Sequence, residues 1–469
     1  MRSLLQLVGM LVVLAASAAR AGEIPLAKPN DRAGLFDAKT ETSNDLRRVP
    51  VAPATNAHTG VIVIRNARLV DGTGAAVRTV DILIEGDRIT RISPRLETPQ
   101  GAEVIDARGR TVMPGLIDLH THLTYVHRFG LPAPTSDESQ ADAAIRGIER
   151  LRYLAESGIT SVRDLALHGM APFLLKKEVA GGNIPRPRIF AAGQLIVGEG
   201  GHGAEGTGSR TAPDYPDAAV REANGPEDWR RAVRTNFKRG ADLIKLASHF
   251  SQNEVDAAID EAHKLGLRVT VDSESIYTRM AVEAGVDSVE HPLPRTDETV
   301  RLMAKKGIAA VPTLVPYQYI NAMGGYFGST SRRFTISDAS IFEMGAKLKA
   351  AGVKLGVGTD LVVDWHRHLP DAYIQELRNF RRLGFSASEA LIAATRTNAE
   401  ILGMDDRLGT LQPGKLADLI LVEGRPDEDL EALQNVDMVI VGGRIIVREG
   451  RAILPPRIEI KPPYSSGPK

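Results

Sequence analysis

The sequence predicts an α/β protein in which a (β/α)8 TIM-like barrel is combined with a small β-sandwich domain built from both chain ends. Between residues 112 and 403, apolar runs of strand length alternate with helical patterns, and β-rich runs flank this region on both sides. Such alternation is typical of βα units around a parallel sheet. Eight units in about 290 residues fit a barrel, which typically needs about 250 residues.

The first 58 residues are predicted to precede the folded domains. Residues 1–21 combine Arg2, an apolar segment from Leu4 to Ala15 and small residues up to Ala21, which is the pattern of a secretory signal peptide. The apolar segment is shorter than the roughly 20 residues of a membrane-spanning helix. We therefore expect an exported chain, periplasmic or secreted, without a membrane span after cleavage. Residues 22–58 are polar and contain prolines, which indicates a linker or arm.

The small β domain is predicted from short β-rich runs near both ends. The N-terminal runs are "VIVIRNARLV" and "VDILIEGDRITRISP", and the C-terminal runs are "ADLILVEG" and "VDMVIVGGRIIV". Gly442 and Gly443 separate two apolar runs and predict a hairpin turn. We assign residues 59–111 and 404–457 to one domain, and residues 458–469 to a tail.

The barrel strands are predicted from eight apolar runs, namely GLIDLH, ITSVRDL, RIFAAG, DLIKLA, LRVTV, VDSVEH, IAAVPTL and KLGVGTD. Before the fifth run, Val255, Ile259 and Ala262 recur at helical spacing. Ser386 and Glu389 have the spacing of a capping box that opens the last barrel helix. In this fold the chemistry is located at the C-terminal ends of the strands.

Composition excludes several classes of function and site. Lys plus Arg and Asp plus Glu both number 58, so the formal net charge is zero. Without a basic block, nucleic acid is not an expected partner. The chain contains no cysteine, so a metal site must use histidine, carboxylate or a modified side chain.

Five chemistry-bearing residues occupy the predicted strand ends. His120 and His122 lie two residues apart, so in a strand both imidazoles point to one face. Lys245 ends an apolar run, where a lysine is rare unless it is paired or chemically altered. His291 and Asp360 end the sixth and eighth runs. Taken singly, each has an ordinary structural role, such as a hydrogen-bonded histidine, a snorkelling lysine or a helix cap.

Together, the motifs around these residues resemble the amidohydrolase superfamily, in its prolidase-like and imidazolonepropionase-like branch. The stretches "VMPGLIDLHTHL", "GADLIKL", "GVDSVEHP", "GVGTD" and "AATRTNAEILGMDDRLGTLQPGKLADLILVEGRP" occur in the order of that family. The resemblance covers nearly everything from about residue 60 to residue 450.

The resemblance implies a two-metal hydrolase. His120 and His122 would bind one divalent ion, and Lys245, carboxylated by carbon dioxide, would bridge it to a second ion held by His291. Asp360 would be both a ligand and the proton carrier. Zinc is the expected metal, since it accepts nitrogen and oxygen ligands. The implied reaction is hydrolysis of an amide bond in a small molecule such as a dipeptide or an N-acyl amino acid.

The fifth strand departs from the family pattern. The family has a metal-binding histidine there, whereas this chain reads "LRVTVDSES". Asp272 is the nearest replacement, but the distance to "EHP" is one residue short, so Glu274 stays open. Asp272 also fits either of two structural roles: it caps the following helix, or it pairs with Arg268, which shares its face by alternation.

Other polar residues carry weaker expectations. His202 lies in "GEGGHGAEG", and in similar proteins such a loop borders the substrate; an exposed loop histidine is the equal alternative. Arg163 and Asp164 resemble the second strand of the family, although an internal ion pair would account for them as well. No role is assigned to His168, His249, His366 or His368.

Two further functions stay open on the same residues. Deamination or ring opening of a cyclic amide uses the same fold, usually with one metal and without the bridging lysine. Lys245 argues against it, and the missing histidine argues for it. A binding protein on an inactive scaffold is disfavoured because all five residues are retained. The sequence leaves open the substrate, the identity and number of the metal ions, and whether the chain forms a homo-oligomer.

Overall fold

The computed structural model describes residues 60–124, 140–166, 169–204, 218–272, 274–322, 337–362 and 365–454, all within one compact unit of the chain, residues 50–469. The expected signal peptide (1–21), arm (22–58) and tail (458–469) lie outside the described residues, as does His168. Within the described part, no helix has the length and apolarity to cross a membrane.

A nine-stranded sheet takes its strands from both ends of the chain. These strands are β1 (Val61–Leu69), β2 (Arg78–Glu85), β3 (Arg88–Ser93), β4 (Glu103–Asp106), β5 (Thr111–Pro114), β15 (Leu419–Val422), β16 (Val436–Val441), β17 (Arg444–Arg448) and β18 (Arg451–Ala452). The order is β18-β17-β16-β15-β5-β1-β2-β3, with β4 paired to β1. The predicted hairpin at Gly442 and Gly443 is confirmed, because it joins β16 to β17 as an antiparallel pair. Strand β5 crosses the predicted domain boundary at residues 111/112.

The middle of the chain forms two pieces of parallel sheet. One has the order β6-β7-β8 and the other β10-β9-β11-β12-β13-β14. Their bounds are β6 (Leu116–Thr121), β7 (Ile159–Asp164), β8 (Arg188–Ala191), β9 (Leu195–Val197), β10 (Val220–Glu222), β11 (Leu243–Ala247), β12 (Arg268–Asp272), β13 (Ser288–Glu290) and β14 (Ala309–Val311). Seven of the eight predicted runs overlap one of these strands. Strands β9 and β10 were not predicted.

The eighth run, KLGVGTD, does not form a regular strand, which corrects the prediction. Its first residues bond to β14 and its last residues bond to β6, and the only pairings described are one isolated bridge to β14 at Leu355 and one to β6 at Leu361, the residue after the run. A Cβ at Gly358 would lie 2.9 Å from His120, so the segment passes close to β6. The backbone bonds at the edges of the two pieces are Ala310 N to Lys354 O (2.9 Å), Gly356 N to Ala310 O (2.8 Å), Leu119 N to Val357 O (3.1 Å), Asp360 N to His120 O (2.6 Å) and Asp242 N to Ala191 O (2.8 Å).

Helices follow most of the parallel strands. They are α1 (Gln140–Glu156), α2 (Ala171–Ala180), α3 (Pro226–Arg239), α4 (Gln252–Lys264), α5 (Ser275–Ala284), α6 (Asp297–Lys306), α7 (Leu314–Ala322), α8 (Asp338–Ala350), α9 (Asp371–Arg382), α10 (Ala387–Ile392) and α11 (Asn398–Leu402), with a π-helical turn at Ala393–Thr397 and 3-10 turns at Trp365–His368 and Leu430–Asn435. The predicted buried face of α4 and the capping box of α10 are confirmed. The predicted seventh strand ends early, because α7 begins at Leu314.

Candidate metal centre

The C-terminal ends of the parallel strands bring all six predicted metal ligands together. They lie on β6, β11 and β12, directly after β6 and β13, and at the end of the eighth run, and they are His120, His122, Lys245, Asp272, His291 and Asp360. Five of the side chains are buried and that of Asp360 is partly exposed, with exposed fractions from 0% for His120 to 17% for Asp360. Parallel strands end at one edge, which is why residues far apart in sequence meet here.

The first part of the cluster joins the His-x-His pair to Asp360. The Nε2 atom of His122 lies 3.0 Å from Asp360 Oδ1, and the Nε2 atom of His120 lies 3.5 Å from the same oxygen. These three residues could hold one metal ion, since their ligand atoms all lie within 4.8 Å of one another. Asp360 has a left-handed backbone, with φ of 46°, which is uncommon for a residue other than glycine. Such strain is typical of functional positions.

The second part of the cluster surrounds Asp272. Its Oδ2 atom lies 3.2 Å from His291 Nε2 and 3.4 Å from Lys245 Nζ. The same Nζ atom lies 3.1 Å from His120 Nε2, so Lys245 stands between the two parts. His202 reaches the cluster from its loop, with Nε2 3.5 Å from Asp272 Oδ2, and its side chain is 33% exposed.

Asp272 does not pair with Arg268. Both lie on β12, but the Arg268 side chain is 45% exposed and approaches Asp287 at 4.0 Å. Four residues of strand span roughly 13 Å, which separates the opposite ends of β12. The expected alternative of an ion pair between Asp272 and Arg268 is therefore wrong. Glu274 lies at the position before α5, as its N-cap residue.

Buried polar groups hold the imidazoles from behind. The Nδ1 atom of His120 lies 2.8 Å from Glu290 Oε2. The Nδ1 atom of His291 lies 2.7 Å from the Thr313 hydroxyl, which itself donates to the Pro312 carbonyl and so accepts from the ring. Both histidines therefore direct Nε2 towards the centre, as a metal-ligating histidine does.

The pKa shifts of His120 and Asp272 favour the deprotonated forms that bind cations. Burial and the adjacent Lys245 ammonium hold the pKa of His120 well below its ordinary value, so the ring is neutral. For Asp272, burial opposes ionisation, but His291, His202 and Lys245 together hold its pKa well below the ordinary value. Burial and the Asp272 charge raise the pKa of Glu274. Asp272 is thus the better cation ligand of the two carboxyls.

The pKa of Asp360 is lowered although burial opposes its ionisation. The hydrogen bond from His122 and the positive charge of His291 outweigh the desolvation of the carboxylate. The Asp360 side chain has the largest exposed fraction of the predicted ligands, 17%. An ionised carboxylate on the open side of the cluster can accept a proton from a reacting group.

The donor set fits divalent metal ions. It offers imidazole nitrogens and carboxylate oxygens, which are the ligands that zinc prefers when thiolates are absent. The His120 and His291 rings are also hydrogen-bonded at Nδ1, and such bonds orient the opposite nitrogen of a metal-binding histidine. The two carboxylates of the cluster, Asp272 and Asp360, would also gain from the positive charge of a divalent ion.

Sequence reasoning missed Glu290 and Thr313. Glu290 is fully buried at the end of β13, between His120 and Arg163, and the only sequence signal was an acidic residue inside an apolar run. Arg163 is confirmed as part of an internal ion pair, but with Glu290 rather than Asp164. The Asp164 carboxylate instead accepts a hydrogen bond from Leu123 N at 3.0 Å, and burial raises its pKa to about 8.

Three histidines to which no role is assigned, His249, His366 and His368, have partners outside the predicted ligand set. His249 Nδ1 lies 3.2 Å from the Glu199 carbonyl, and its ring contacts Tyr277. His366 Nε2 lies 3.2 Å from the Thr121 hydroxyl, and His368 contacts the Tyr319 ring.

Comparison with known proteins gives consistent results. Residues 111–446 match the family model described as "Amidohydrolase family". The chain is 27% identical over 450 residues to an ochratoxinase of Aspergillus niger, a match covering 87% of this chain and 91% of the relative. It is 27% identical over 425 residues to an imidazolonepropionase of Symbiobacterium thermophilum, covering 83% and 93% of the two chains.

A solved structure supports the same relationship. The crystal structure of a Xaa-Pro dipeptidase with bound methionine in the active site superposes with a TM-score of 0.74 and 31% sequence identity. The match covers 82% of this chain and 99% of that chain. The similarity therefore extends over both the nine-stranded sheet and the parallel strands.

Proposed function

The chain belongs to the amidohydrolase family and is a hydrolase acting on carbon–nitrogen bonds, and we propose that it cleaves the amide bond of a dipeptide or an N-acyl amino acid with the help of two divalent metal ions. We further propose that the two pieces of parallel sheet close into the (β/α)8 barrel. The backbone bonds between β14, the extended eighth run and β6 support this closure.

One observation carries the proposal: two buried imidazoles are held at Nδ1 and turn Nε2 towards two carboxylates and a buried lysine. His120 and His122 with Asp360 would hold one ion, and His291 with Asp272 would hold the other. Lys245, whose Nζ lies within 3.4 Å of residues in both parts, would bridge them as a carbamate. When bound, such ions activate a water molecule and polarise the substrate carbonyl.

The protein residues then have separable tasks. Asp360, ionised and on the open side, would accept the proton of the attacking water and return it to the leaving nitrogen. His202, partly exposed beside Asp272, is positioned to donate a hydrogen bond to a substrate carbonyl or carboxylate. The relative named as a Xaa-Pro dipeptidase supports a peptide-like substrate.

A panel of substrates tests this proposal. The purified chain, loaded with zinc and bicarbonate, is incubated with dipeptides and N-acyl amino acids, and the released amine is measured. We expect turnover of linear amides that is lost in Asp360→Asn and retained in Asp418→Asn. The control residue Asp418 is a buried carboxylate that pairs with Arg188, outside the cluster. Absence of amine release from every linear amide would contradict the proposal.

Opening of a cyclic amide is the second candidate function. The relative named imidazolonepropionase and the carboxylate at position 272 favour it. The same panel, extended to cyclic amides, distinguishes the two functions, because ring opening releases no separate amine and is detected as a mass increase of one water.

A further inference from the structure

A buried polar chain leads away from the candidate metal centre through Glu290. The Glu290 side chain is 0% exposed, and its two oxygens face different partners. Oε2 lies 2.8 Å from His120 Nδ1, while Oε1 accepts a hydrogen bond from Arg163 Nη2 at 2.6 Å. The Thr270 hydroxyl also donates to Oε1.

Arg163 fixes which oxygen faces which partner. Its Nε donates to the Leu119 carbonyl at 2.5 Å, and its Nη1 donates to the Ser288 hydroxyl at 3.2 Å. A guanidinium group has only donors, so the atom of residue 290 that faces it must be an acceptor. Because Leu119 and Ser288 hold Arg163 in place, its Nη2 keeps Oε1 beside it and Oε2 is left for His120.

This arrangement determines the tautomer of His120. Glu290 Oε1 accepts from Arg163 and Thr270, and Oε2 faces His120 as an acceptor, so the imidazole must carry its hydrogen on Nδ1. Nε2 then has the lone pair. That atom lies 3.1 Å from Lys245 Nζ and 3.5 Å from Asp360 Oδ1, on the side of the other candidate ligands.

We propose that Glu290, held by Arg163, is a positioning residue that fixes His120 as the Nδ1–H tautomer and presents its Nε2 lone pair to a divalent cation. The metal-binding part of this inference rests on the proposed function, whereas the tautomer does not. The competing possibility is that Arg163 and Glu290 form an ion pair that only stabilises the sheet interior.

Glu290→Gln separates the positioning role from the purely structural role because it preserves size and changes the donor pattern. Arg163 requires the amide oxygen on its own side, so the amide nitrogen must face His120. Two donors cannot face each other, and His120 must therefore change to the Nε2–H tautomer. The lone pair towards the cluster is lost. We expect zinc affinity to fall by about 10- to 100-fold, the usual effect of removing such a partner.

The double variant Arg163→Met with Glu290→Gln should reverse the tautomer change. Without the guanidinium, the amide can turn and offer its oxygen to His120, and the Thr270 hydroxyl can accept as well as donate. We expect His120 to return to Nδ1–H and zinc affinity to recover relative to Glu290→Gln. A purely structural ion pair predicts no change of tautomer in either variant.

The measurement is the 15N chemical shift of the two His120 ring nitrogens in the metal-free, full-length chain, combined with zinc affinity from chelator competition. Asp418→Asn is the matched control, since it removes a buried carboxylate from Arg188, which it binds at 2.6 and 2.9 Å. In the control we expect lower thermal stability with unchanged tautomer and zinc affinity.

The outcomes are distinguishable. Nδ1–H in the wild type, Nε2–H in Glu290→Gln and Nδ1–H in the double variant support the inference. Retention of Nδ1–H in Glu290→Gln overturns it, as does unchanged zinc affinity despite a changed tautomer. A wild type that shows the expected tautomer and binds no zinc would instead contradict the proposed metal centre.

Discussion

At the scale of single residues, Asp360 has the combination of charge and access that a proton carrier needs. Its side chain is the most exposed of the predicted ligands, and its pKa lies below the ordinary value. We expect Asp360→Asn to lower kcat by about 10²- to 10⁴-fold, the usual contribution of a general acid–base group. Thermal unfolding should show a folded variant. Near-full turnover of the best substrate would show that Asp360 is not the proton carrier.

Asp272 is the residue that we propose in place of the fifth-strand histidine implied by the resemblance to the family, and the number of bound metal ions tests this role. With zinc and bicarbonate, we expect about two ions in the wild type and about one in Asp272→Ala, because one ion loses a carboxylate ligand. Asp272→His, which restores the family residue, is the matched control and should keep about two ions. One ion in both the wild type and Asp272→Ala would mean a mononuclear site.

The sequence could identify candidate ligands, but not their contacts. His120, His122, Lys245, His291 and Asp360 were found because recognisable motifs surround them. The contact between Asp272 and Lys245 could not be predicted, since it depends on the pairing of β11 with β12. Alternation within one strand suggested Arg268 instead, but alternation gives a shared face and not a distance.

At the scale of elements, Glu376 on α9 stabilises the start of α7. Its two oxygens accept hydrogen bonds from Leu314 N (2.9 Å) and Val315 N (2.8 Å). Backbone N–H groups in the first turn of a helix have no acceptor within that helix, so Glu376 supplies it. Burial is the largest influence and raises the pKa of Glu376 to about 7, although these two bonds oppose the rise.

The raised pKa of Glu376 predicts a pH dependence of stability. The pKa of a glutamate in the unfolded chain is about 4.3, so between that pH and the folded-state pKa of about 7 the folded chain retains a proton that the unfolded chain has released. The contribution of Glu376 to the free energy of unfolding therefore falls as pH rises through this window. Comparing Tm from pH 4 to pH 8, we expect a smaller decline in Glu376→Gln than in the wild type. Identical profiles would contradict the assignment.

Periodicity predicted elements well where local pattern and tertiary pairing agree. The face of α4 and the hairpin at Gly442 and Gly443 are such cases. The eighth run failed as a strand because its bonds are divided between two neighbours, which a local pattern cannot show. The start of α7 was missed because its donors are satisfied by Glu376, which lies 62 residues from Leu314.

At the scale of the whole molecule, one buried ion pair links the parallel strands to the nine-stranded sheet. Arg188 begins β8, and its guanidinium binds both oxygens of Asp418, the residue before β15. Asp418 also accepts from Gly442 N at 2.7 Å, at the hairpin between β16 and β17. The C-terminal strands of the nine-stranded sheet are thus joined to β8, the strand of the third predicted βα unit.

Export of the protein is a prediction that concerns residues outside the described part of the chain. The pattern of residues 1–21 predicts cleavage near Gly22. N-terminal sequencing of protein from the envelope or medium of the native cell should therefore give a sequence that starts near Gly22. An intact Met1 terminus in a cytosolic fraction would contradict the prediction.

The central claim is that this chain hydrolyses amides with metal ions held at the strand ends, and removal and return of the metal tests it most directly. The rate of amine release from the best linear amide is measured before chelation, after chelation and dialysis, and after addition of zinc and bicarbonate. We expect a loss of at least about 100-fold after chelation and recovery with zinc, because chelation removes the ions that would activate the water and polarise the carbonyl. Proton transfer from that water to Asp360, which alone contributes about 10²- to 10⁴-fold, would be lost with it. An unchanged rate in a sample shown by elemental analysis to be free of metal would contradict the account.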